Sequence, residues 1–69
     1  MAKGELVCRL REARTEAGLT QLELAERVGV SRKTINTVEN GVFIPSTLLA
    51  LKLARALSKS VEDLFGLSD

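Results

Sequence analysis

A chain of 69 residues, 45% hydrophobic and 28% charged, is the size of one small domain, with no room for a second core. It has no His, Tyr or Trp and one Cys, so it lacks the parts for a catalytic triad, imidazole acid–base chemistry, a Cys/His zinc site or an internal disulfide. Ten Lys and Arg against nine Asp and Glu leave a net charge of +1, which suits a nucleic-acid partner only if the charges are segregated by position.

Phe43 and Phe65 are the only aromatic residues, while Leu, Ala, Glu, Arg and Lys abound, so an all-α fold is expected, with about five short helices over residues 6–67 between tails at 1–5 and 68–69. From about Glu5 to Ala17, Leu6, Leu10, Ala13 and Ala17 recur at helical spacing, and Gly18 stops the helix. Thr20-Gln21-Leu22-Glu23 is a capping box that opens a second helix, with Leu24, Ala25 and Val28 facing inward. Gly29 supplies a tight turn, Ser31 caps a third helix to about Asn40, and Gly41 ends it; two short helices joined around a glycine predict a helix-turn-helix over about 20–40. Proline bars helix at Ile44. Ser46 or Thr47 then caps a fourth helix to about Leu57, and Ser60-Val61-Glu62-Asp63 starts a last turn or two. There is no apolar run of about 18 residues and no signal-peptide core, which predicts a soluble cytoplasmic chain with no membrane role.

The third helix carries two faces. On a wheel of about 100° per residue, Arg32, Lys33, Asn36, Thr37 and Asn40 share one side, and Ile35, Val38, Thr34 and Glu39 lie toward the other. A guanidinium, an ammonium, two carboxamides and a hydroxyl without a carboxylate suit base edges and phosphates, although any surface helix also needs a solvated side. In the first helix Arg14 stands inside the apolar stripe and requires an anion. Glu39, on the inward border beside Ile35, is the best partner; the alternatives are an Arg14 that extends to solvent or reaches a phosphate.

With these residues in view, the run Gly18-Leu19-Thr20-Gln21, Leu24-Ala25, Gly29-Val30-Ser31, Thr34-Ile35 and Glu39-Asn40-Gly41 resembles the Cro/C1-type (XRE) helix-turn-helix regulators. The tail from Pro45-Ser46 through Leu49 to Ala54, and on to Val61-Glu62-Asp63-Leu64-Phe65, resembles the compact single-domain members, so the likeness spans about Leu6 to Leu67. The resemblance implies a five-helix lambda-repressor-like domain that binds double-stranded DNA. It implies that Gln21 contacts phosphate and braces the recognition helix, and that Arg32, Lys33, Asn36 and Thr37 read base edges or flanking phosphates, with Thr34 at the edge of that face. Asn40, with the backbone amides near Gly41 and Val42, matches a phosphate clamp, and Arg14 and Glu39 match a family ion pair.

The chain departs from that pattern at Val42, where Lys or Arg is common, at Phe43-Ile44 in place of a more polar stretch, and at Leu48, where Glu is common. Val42, Phe43, Ile44, Leu48, Phe65 and Leu67 are more candidate surface apolar residues than a lone small domain needs, and they predict a homodimer interface. Cys8 reads as a small filler rather than a redox sensor. The expected function is a dimeric, sequence-specific transcriptional regulator, a repressor by default, binding a pseudo-palindromic operator without cofactor, metal or small-molecule effector. The alternatives are an antitoxin of the same fold that represses its own operon, and a protein-interaction module that no longer binds DNA.

Overall fold

The computed structural model describes residues 5–68, so the tail positions 1–4 and 69 lie outside the described residues. Its elements run β1 (Leu6–Cys8), α1 (Leu10–Glu16), α2 (Gln21–Val28), α3 (Arg32–Glu39), α4 (Thr47–Ala56), α5 (Val61–Leu64) and β2 (Phe65–Leu67). Four of the five helices start as their sequences dictate. Thr20, Ser31, Ser46 and Ser60 each adopt extended backbone and accept the amide three residues on, and Glu23 and Asp63 return the bond to complete capping boxes.

The all-α expectation is corrected by a two-stranded antiparallel ribbon in which Leu6 pairs with Leu67, Val7 with Gly66 and Cys8 with Phe65. Helix one accordingly starts at Leu10 rather than Glu5, and Leu6 and Cys8 belong to a strand, not to a helical stripe. The ribbon supplies partners that a continued helix would have had to find elsewhere. The Arg9 amide donates to the Leu64 carbonyl at 2.7 Å, and the Arg9 guanidinium donates to the Asp63 and Glu62 carbonyls at 3.3 and 3.1 Å, clipping the two chain ends together. Gly66 gives that guanidinium its space, since a Cβ there would lie 2.8 Å from Arg9 Nη2.

The core is one cluster in which Leu10, Leu24, Ile35, Leu53 and Leu64, one from each helix, are fully covered. Phe65 belongs to that cluster at 8% exposure, which corrects its placement in a surface patch: as the first residue of β2 it turns inward and is spent on the protomer's own core. Cys8, half-buried, packs against the same cluster from β1, and burial pushes its thiol above the ordinary value, as befits a filler. The turn between α2 and α3 passes through Gly29 at φ 76°, and α3 ends at Gly41 with φ 73°, both in the left-handed region that glycine adopts without strain.

Candidate nucleic-acid interface

The packing of α1 and α2 against α3 brings together side chains from all three helices around one carboxylate. Glu39 has no accessible side-chain surface. Arg14, 12% exposed, donates from Nε to its Oε2 at 2.6 Å and from Nη2 to its Oε1 at 3.2 Å, a two-pronged pair, while Arg14 Nη1 donates to the Leu19 carbonyl at 2.8 Å. Of the alternatives for Arg14, the structure therefore has the Glu39 pair. Arg11, unremarked in the sequence, donates to the same Oε1 at 3.3 Å and from Nη2 to Asn40 Oδ1 at 2.7 Å. It lies one helical turn before Arg14, so spacing alone offered it to the same anion.

Burial alone would raise the Glu39 carboxyl. Hydrogen bonds from Arg14 and Gln21, the Arg14 charge and the Arg11 bond more than offset this and hold it below the ordinary 4.5. The single carboxylate of α3 is therefore an anion turned inward and matched by two arginines, and it takes no part in the helix's outer face.

Gln21, the first residue of α2, extends the network along α3. Its Nε2 donates to Glu39 Oε1 at 3.0 Å and to Asn36 Oδ1 at 3.2 Å, and its Oε1 accepts from Arg32 Nη1 at 3.2 Å. Asn40 Nδ2 also donates to Asn36 Oδ1, at 3.2 Å. Both amide hydrogens of Gln21 are thus spent inside the protein, so the bracing half of its implied role is present in the geometry, and a side-chain donation to phosphate would require a break in the network.

Arg32, Lys33 and Asn40 are exposed, and Thr34, Asn36 and Thr37 are partly covered on the same helix. The hydroxyl of Thr34 shares a 3.0 Å bond with the Ser31 hydroxyl at the cap, and Thr37 Oγ1 donates to the Thr34 carbonyl at 2.9 Å. The backbone amides expected near a phosphate have partners within the protein: those of Asn40 and Gly41 donate to the Asn36 and Val38 carbonyls, and those of Val42 and Phe43 both donate to the Thr37 carbonyl. Those amides close the end of α3 at the left-handed Gly41, and the Asn40 side chain bonds to Arg11 and Asn36.

Arg11 and Arg14 from α1 hold the one carboxylate of α3, while Arg32 and Lys33 stand exposed in the first turn of α3. Val42, Phe43, Ile44, Leu48 and Leu67 are exposed, and Leu6, Leu22 and Leu51 join them as exposed apolar residues outside the expected set. No group of three or more His, Cys, Asp or Glu suited to a metal occurs among the described residues, and none of their helices is long and apolar enough to cross a membrane.

A short α2, a glycine turn and an α3 whose polar face is held from behind by an ion-paired network define a helix-turn-helix unit. The chain belongs to the Cro/C1-type (XRE) helix-turn-helix family, whose model, described as Helix-turn-helix, matches residues 10–64. It is 54% identical over 61 residues to an uncharacterised HTH-type transcriptional regulator of Methanothermobacter thermautotrophicus, covering 87% of this chain and 88% of the relative. It is 43% identical to the HTH-type regulator YgzD of Bacillus subtilis, covering 88% and 92%. Among solved structures it is similar to the restriction-modification controller protein C.AhdI of Aeromonas hydrophila, with a TM-score of 0.76, 42% identity, and coverage of 80% of this chain and 83% of that one. The clp gene regulator ClgR of Corynebacterium glutamicum gives a TM-score of 0.75 at 37% identity, and there this chain spans 57% of the neighbour's length. The relatives and structural neighbours are transcription regulators, and the chain is a regulator of that class rather than an enzyme.

Proposed function

We propose that the protein is a sequence-specific DNA-binding repressor that places Arg32, Lys33, Asn36 and Thr37 in the major groove, with Gln21, Thr34 and Asn40 supporting that face. One observation carries the reading: α3 presents cations and carboxamides outward, while its only carboxylate is buried against Arg14. A solvated helix face needs no such arrangement, whereas a face that meets phosphates gains from having its anion withdrawn and neutralised.

The protein acts as a homodimer on a pseudo-palindromic operator, with half-site centres about 34 Å apart, one turn of the duplex. Support comes from Val42, Phe43, Ile44, Leu48 and Leu67, which are all exposed, and from Val42 itself, which supplies no charge to the backbone. A protomer with so few phosphate contacts binds weakly, and linking two recognition helices makes the second half-site intramolecular. C.AhdI, a controller protein of which this chain spans 83%, supports the view that one domain of this size serves as a regulator.

Selection of bound duplexes from a random pool tests the reading. A two-fold related motif is expected. A pool that stays random through successive rounds would leave the domain as a protein-interaction module. Co-purification of a small partner protein from the native host, together with such a motif, would instead favour the antitoxin role.

A further inference from the structure

We infer that Asn36 reads DNA as a donor only, and that the base it selects is guanine, whose N7 and O6 are both acceptors, rather than adenine. The inference rests on the DNA-binding reading above. It follows from a hydrogen-bond count in which three charged groups fix the polarity of three carboxamides. Glu39 has only acceptors, so the Gln21 atom 3.0 Å from it is the nitrogen; Arg32 has only donors, so the Gln21 atom 3.2 Å from it is the oxygen. Arg11 likewise fixes Asn40, whose oxygen accepts from the guanidinium at 2.7 Å and whose nitrogen must then face Asn36. Asn36 consequently meets two N–H donors, from Gln21 and Asn40, each at 3.2 Å, and the atom that receives them is its oxygen.

A carbonyl oxygen has two lone pairs, and both are committed. Rotating the Asn36 amide by 180° would set three NH2 groups against one another, so the charges hold it in place. Among the described residues its Nδ2 has no partner and no unpartnered side-chain nitrogen or oxygen is buried, so that NH2 is open to solvent on the face of α3. The familiar pairing of asparagine with adenine needs a donor and an acceptor together, at N7 and N6. Here only the donor is on offer. The acceptor edge of guanine matches it, and the amino group of adenine finds no acceptor.

The test is selection from a random duplex pool with the full chain and, in parallel, Asn36→Asp and Asn36→Ala, each checked by thermal melting. In the wild-type motif one guanine should lose its enrichment in both variants. Asn36→Asp, which keeps an oxygen toward Gln21 and Asn40 but turns a second oxygen outward, should shift that position toward cytosine or adenine, whose amino groups donate. Replacing that guanine by 7-deazaguanine, which lacks the N7 acceptor, should weaken wild-type binding about fivefold or more and leave Asn36→Ala unchanged. If the variants do not fold, the wild-type protein and Arg32→Ala scanned in parallel with 7-deazaguanine at each enriched guanine still decide, because a motif insensitive at every guanine other than the one that Arg32 reads overturns the inference. An Asn36-dependent adenine also overturns it while leaving DNA binding intact. Failure of the wild type to enrich any motif removes the DNA reading itself.

Discussion

Glu39 ties α1 and α2 to α3 through a single side chain. Its covered carboxylate is held by Arg14, Arg11 and Gln21, and removing it leaves the nearly buried Arg14 guanidinium without its anion. Breaking a buried pair on one side costs about 3–5 kcal/mol, a large share of the stability of a small domain, so Glu39→Ala should lower the unfolding free energy by about 3 kcal/mol in denaturant titration. An unchanged midpoint would show that the pair does not lock α1 to α3. The same carboxyl has a folded-state pKa below the ordinary 4.5, so the stabilisation it brings is complete above that value and is lost as pH falls through the lower, folded one. Melting temperature should therefore hold from neutrality to about pH 5 and drop below it, and Glu39→Gln should flatten that drop; Glu23 and Asp63, whose cap hydrogen bonds also lower their pKa values, leave a shallow remainder.

The helices were legible from the sequence because their signals are local. Thr20, Ser31, Ser46 and Ser60 mark starts through bonds spanning three residues, and the Arg14–Glu39 partnership could be read from two wheels even though the first began in what is a strand, since Leu10 to Glu16 keeps its helical phase. The β1–β2 ribbon was not legible. Three residues of Leu6–Cys8 satisfy either period, and their partner strand begins at Phe65, a pairing that exists only once the helices between them have packed. Arg9 is illegible for a related reason: an exposed arginine before a short helix shows no pattern of its own until the Glu62 and Asp63 carbonyls are brought to it, whereas the spacing of Arg11 to Arg14 did carry a signal. The end of α4 offers a test at this scale. The Ser58 and Lys59 amides close on the Arg55 and Ala54 carbonyls, which is the bonding pattern that Gly41 and Val42 make at the end of α3, yet Ser58 is a non-glycine residue at φ 55°. Ser58→Gly should raise stability by about 1 kcal/mol in thermal melts, since the strained conformation is relieved without loss of the two bonds. A decrease would mean that the serine side chain contributes more than its backbone strain costs.

For the molecule as a whole, a net charge of +1 understates how the charge is disposed. Arg11, Arg14, Arg32 and Lys33 cluster around α3, where the one carboxylate is covered, while Glu62 and Asp63 lie on the short α5 near the ribbon. Val42 is exposed and uncharged just past α3, so on the proposed reading Val42→Lys should strengthen binding to random duplex and steepen the salt dependence, by about one unit of log–log slope per protomer. A slope that does not change would place residue 42 away from the phosphate backbone. Specific binding should further depend on pairing of protomers through the exposed apolar residues, and Ile44→Glu should give a monomer in equilibrium sedimentation that folds but loses high-affinity binding. The central claim, that a helix braced by the Arg14–Glu39 network reads DNA sequence, is tested most directly by titrating a selected duplex and a shuffled duplex of equal length with the protein at several salt concentrations. The selected duplex should bind at least about a thousandfold more tightly at physiological salt, with both affinities falling as salt rises. Equal affinity for the two duplexes at every salt concentration would contradict it.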